Sequence, residues 1–102
     1  MGNSVKQLKF INKDVPGAGT RVQLTTDNIF ARSVTFQGDH DNTGSVFIGD
    51  NTVSSTVHAL ALDPGEKHTF NATVQGGDVC FNLSDFWIDV ETNGNDIAVS
   101  YT

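Results

Sequence analysis

Cysteine is almost missing from this chain. Cys80 is the only one, so no disulfide can close within it. That usage fits a protein made and kept in a reducing compartment. Long apolar runs are missing too. None approaches the ~18 residues of a transmembrane helix. The N-terminal stretch MGNSVKQLKF lacks the apolar core of a secretory leader. It opens Met-Gly, but Lys6 stands where a myristoylation signal needs Ser or Thr. Positive charge is scarce: six Lys and Arg face twelve Asp and Glu, a net charge of −6. An acidic surface repels phosphate backbones and anionic lipid, so neither nucleic acid nor membrane is an expected partner. We expect a soluble protein synthesised in the cytoplasm. With 102 residues from Met1, we also expect a single domain spanning the chain.

No segment keeps a helical period for three turns, and no internal repeat is visible. Short runs of β-branched and aromatic residues alternate instead with Asp, Asn, Gly and Pro clusters. The stretch 31–50, ARSVTFQGDHDNTGSVFIGD, is the clearest case, two alternating runs around a polar turn. We expect about nine short strands, over 4–11, 21–26, 32–37, 45–49, 57–62, 67–74, 78–83, 86–91 and 97–101. The segment 1–13 forms an N-terminal strand or arm, and 14–19, DVPGAG, forms a loop. Asp63-Pro64-Gly65-Glu66 reads as a type II turn, with Gly65 supplying the positive φ. Gly76-Gly77 and Asn93-Gly94 mark further turns.

Alternation assigns the inward side chains. These are Val22 and Leu24, Val34 and Phe36, Val46 and Ile48, Leu60 and Leu62, and Phe70. Val79, Phe81 and Leu83, then Phe86, Ile88 and Val90, then Ile97, Val99 and Tyr101 complete the set. Many strands, regular turns and no βαβ alternation predict an all-β fold. The expected form is an antiparallel β-sandwich of jelly-roll type.

Chemistry-bearing patterns are thin. His40, His58 and His68 stand singly, with no HxH pair to begin a metal centre. No GxSxG elbow and no phosphate-binding glycine loop is present. Cys80 falls inside an expected strand, as a small packed residue. Asn71-Ala72-Thr73 and Asn82-Leu83-Ser84 match the glycosylation pattern, but without a leader they are chance matches. Asp39, Asp41 and Asp50 occupy the first, third and twelfth positions of a calcium-type loop with Gly44 at the sixth. The twelfth position lacks its bidentate Glu, and Asp, Asn and Gly also populate plain turns. Asp89, Glu91, Asn93 and Gly94 begin a similar pattern that ends at Ser100. We therefore expect no catalytic residue, no cofactor and no metal, with Asp39, Asp41 and Asp50 as the only calcium candidates. Phe47 and Trp87 fall out of phase with the inward faces of their strands. They are the candidate interface residues, since outward aromatics suit a covered surface.

Three stretches carry a resemblance: SVTFQGDHDNTGSVFIGD (33–50), LALDPGEKHTF (60–70) and LSDFWIDVETNGNDIAVSY (83–101). Together they resemble a family of small all-β virion proteins of tailed bacteriophages. The resemblance implies an accessory structural protein without catalytic residues, of the capsid decoration or cement kind. It implies the major capsid protein as partner, self-association (preferably as a trimer) and a place on the capsid surface. The rival readings are a tail or head-fibre module that binds host carbohydrate, and a divergent metal-dependent cupin enzyme.

Overall fold

The computed structural model describes residues 9–72 and 80–102. The expected Gly76-Gly77 turn, Val79 and the first residues of the N-terminal arm lie outside them. Ten strands form among the described residues: β1 Phe10–Asp14, β2 Val22–Gln23, β3 Phe30–Ala31, β4 Ser33–Gly38 and β5 Val46–Gly49 are the first five. β6 Leu60–Leu62, β7 Lys67–Asn71, β8 Phe81–Asn82, β9 Trp87–Val90 and β10 Asp96–Tyr101 follow. A 3-10 turn, Leu83–Asp85, precedes β9. The fold is all-β, and every strand pair among the described residues is antiparallel.

The first sheet has the order β1-β10-β4-β7, and the second β2-β9-β5-β6. β3 and β8 form a separate two-stranded ribbon. Apart from β5 and β6, neighbours in space are distant in sequence, and β1 pairs with β10. Alternation does what the pleat requires. Val34, Phe36, Ile97 and Val99 of the first sheet join Val46, Ile48, Leu62, Ile88 and Val90 of the second in one buried cluster. Phe36 packs edge-on to Phe86 and Phe70, at ring distances of 5.0 and 5.8 Å. Val22, Leu60, Phe70, Phe81, Phe86 and Tyr101 are partly buried against this core.

Several expected strands are shorter in the fold, because local hydrogen bonds compete with sheet pairing. The expected strand over 57–62 is reduced to Leu60–Leu62. Ahead of it the Ser54 hydroxyl accepts from the backbone N–H groups of Thr56 and Val57 and holds a turn. The Asn82 side chain accepts from the Ser84 N–H and turns the chain after β8. Gly65 has φ of +81°, as a type II turn requires at that position. The 14–19 loop is more than a connector. Val15 is fully buried in the core and exchanges backbone bonds with the Asn93–Asn95 turn, through Asn95 O and Gly94 N–H.

Two buried asparagines hold one end of the molecule together. The Asn42 amide donates to Asp96 O at 2.8 Å, and its oxygen accepts from Asp96 N–H at 2.9 Å. Asn95 accepts from Thr43 N–H and donates to Gly44 O. These pairs join the β4–β5 connection to the β9–β10 connection, and both connections cross between the sheets.

Ile88→Ala is expected to cost ~2–5 kcal/mol of stability, whereas Trp87→Ala leaves the monomer folded. Asn95→Ala orphans the buried Gly44 C=O, takes the partner from the part-buried Thr43 N–H and is expected to cost ~1–3 kcal/mol. Urea denaturation of the three variants checks these outcomes.

Candidate functional site

The three histidines do not meet. His40 lies in the exposed β4–β5 connection, with its two ring nitrogens 3.3 Å from Asp39 and 3.3 Å from Asp41. His58 lies over the outer side of the second sheet, its ring 4.9 Å from that of Phe47. His68 is on β7, edge-on to Phe70. Cys80 is exposed and precedes β8. This corrects its expected placement within a strand, because the pairing of β8 begins only at Phe81.

The calcium-type loop is split by the fold. Asp39, His40 and Asp41 bring one ligand atom each within 4.8 Å of one another. Asp50 is not with them: β5 intervenes, and Asp50 closes its far end. There its carboxylate accepts from the Thr52 hydroxyl and backbone N–H, and those two bonds chiefly hold its pKa below the ordinary value. The residues of the second pattern serve as anchors. Asp89 is 2% exposed, although alternation alone predicted an open face for it. Its carboxylate accepts from Gly19 N–H at 2.9 Å and from Val90 N–H, under the 14–19 loop. Glu91 accepts from Ser45 N–H, and Asn93 from Ala18 N–H.

The outward phase of Phe47 and Trp87 has unequal consequences. Phe47 is outside the main core cluster, yet it is only 7% exposed. This corrects the expectation of an exposed ring. The connection 50–59 folds back over this side, with His58 against the Phe47 ring and Val53 buried. Trp87 is half-buried, opposite Gly49 across the strand pair. Val57, beside His58, is the exposed apolar residue of this surface.

The first sheet presents a different outer face. Register places Asn12, Ala98, Gln37 and Lys67 in one row, and Phe10, Ser100, Thr35 and Thr69 in the next. At the crossover end of this face, Asp14 pairs in register with Asp96, and Asp39 approaches Asp96. A depression of about 350 Å³ opens there, lined by Asn12, Gln37, Asp39, His40, Asp96 and Ala98 among others. Sequence inspection identified Asp39 but not Asp14, Asp96, Asn12 or Gln37. Only the pairing of β1 and β4 with β10 brings these side chains together.

Burial raises the Asp96 pKa, and the negative charge of Asp39 adds to that rise. The Asp41 backbone N–H lowers that of Asp39, assisted by Asp96 and His40. No family model, curated protein or solved structure matches this chain.

The two carboxyls act in opposite senses on stability. Asp96 keeps its proton to higher pH in the fold than in the unfolded chain. Its contribution is full below the ordinary value of 3.8 and is lost as pH rises through the raised value. Asp39 contributes above 3.8, and that contribution is lost as pH falls through its lowered value. Asp96→Asn is therefore expected to melt higher than the parent at neutral pH, with the gain disappearing below pH 3.8. Thermal melts of both proteins from acid to neutral pH check this.

Proposed function

We propose that this chain is a virion structural protein of jelly-roll type, acting as a capsid decoration protein that stabilises a phage head. One observation carries the reading: the order of strands in the two four-stranded sheets. Set aside the small β3–β8 ribbon, and eight principal strands remain. The first lies beside the last, and each sheet alternates strands from the two halves of the chain. A double Greek key, an architecture used by viral capsid and lectin domains, would give this order, and that agreement supports the jelly-roll reading. The resemblance of the three sequence stretches to phage virion proteins supports the narrower assignment.

The attachment surface in this reading is the outer side of the second sheet. Trp87 supplies the half-open aromatic anchor, Val57 and His58 belong to the connection that lies over the same side, and His58 stacks on buried Phe47. Aromatic anchors on a rigid sheet suit an interface, because little side-chain freedom is lost on binding. The partner is the major capsid protein. Self-association as a trimer would multiply modest contacts across a lattice. An acidic protein is also better placed outside a shell than against its genome.

The purified protein is expected to sediment as a trimer and to bind undecorated heads. Trp87→Ala should remain folded and lose head binding. Sedimentation and add-back followed by cryo-electron microscopy check this. A monomer that ignores heads, or density confined to the tail tip, overturns the assignment.

A further inference from the structure

We propose that the depression on the outer face of the first sheet binds an uncharged glycan. Its floor is a consequence of register. Asn12 of β1 and Gln37 of β4 flank Ala98 of β10, so a methyl side chain sits between two longer amides. That difference in length makes the hollow. Its volume, about 350 Å³, is at the small end of the ~300–1,000 Å³ typical of ligand sites, enough for one or two sugar rings.

The lining has the chemistry that hydroxyl groups need. An amide offers both donors and acceptors, and a carboxylate accepts from neighbouring hydroxyls. Asn12 and Gln37 supply the first, and Asp39 and Asp96 the second, with the His40 ring at the rim. The fold makes little use of these amides. Asn12 is exposed, and Gln37 reaches only Gly65 O, at 3.4 Å. Phe10 completes the set. It shares the outer face of β1 with Asn12, about 7 Å away along the strand, and is 57% exposed. The negative face of its ring attracts the weakly positive C–H groups of a pyranose.

Charge narrows the ligand class. Asp14, Asp39 and Asp96 cluster at one side of the hollow. Lys67 follows Gln37 in the same row, but three carboxylates outweigh one ammonium, so the net field disfavours sialic and uronic acids and leaves neutral sugars as the fitting occupants. The hollow faces away from Trp87, so a lattice-bound copy would still present it to solvent. The inference does not rest on the capsid assignment, and the isolated protein is sufficient to test it.

Amide NMR titration with N,N′-diacetylchitobiose, maltose and sialyllactose is the test. At least one of the neutral sugars is expected to shift the resonances of Asn12, Gln37, Asp96 and Ala98, with a Kd near ~1 mM. Ala98→Gln fills an exposed hollow without touching the core, and should weaken binding about tenfold. Phe10→Ala should weaken it as well, while Thr69→Ala, on the same face outside the hollow, should bind as the parent does. Spectra unchanged elsewhere will report that each variant is folded. The proposal is overturned if neither neutral sugar shifts these resonances, if sialyllactose binds as tightly, or if Ala98→Gln binds like the parent. None of these results bears on head binding, which uses the other face.

Discussion

The amide clamps of Asn42 and Asn95 are the constraint on which the rest of the molecule depends. Four connections between strands gather at one end of the fold: 15–21, 39–45, 63–66 and 91–95. Their backbone groups lie partly out of water and cannot pair as a ladder does, so each needs another partner. Asn42 answers both backbone groups of Asp96, and Asn95 answers Thr43 and Gly44. Bonds from Val15 and Gly94 add the 14–19 loop to the same knot. Asp39 and Asp96 are held close by this arrangement despite their like charge. Burial and that charge together raise the Asp96 pKa above its ordinary value.

The two outer faces differ because what covers them differs. Over the second sheet, the 14–19 loop seals Asp89, while His58 of the 50–59 connection stacks on Phe47. Trp87 stays partly open beside them. Over the first sheet no described segment lies across the outer side chains of β10 and β4. Its surface is a plain of amides, hydroxyls and one alanine, bounded by carboxylates at the crossover end, by Phe10 along the β1 edge and by Lys67 on β7. An aromatic patch on one side and a polar hollow on the other suit two different partners.

Alternation along the sequence was sufficient to find most of the core. A side chain's facing in a strand is a local property with a period of two, so Val34, Phe36, Val46, Ile48, Ile88, Val90, Ile97 and Val99 could be assigned without a fold. The turn at Gly65 was equally local. Phe47 and Asp89 show the limit of that reasoning. Their outward phase was legible, but their burial was not, because it depends on loops that arrive from distant parts of the chain.

The sequence by itself determined an acidic all-β protein, the inward face of each main strand and the chemistry of its turns. These follow from composition and from spacings of a few residues. Only the tertiary structure decided which strands are neighbours, and therefore which polar groups share a site. Asp39 and Asp50 are close in sequence, but β5 separates them. Asn12, Gln37 and Ala98 are distant in sequence, but β10 joins them in one row. The physical reason is that strand pairing is set by long-range backbone hydrogen bonds and a shared core, neither of which leaves a mark at any single position.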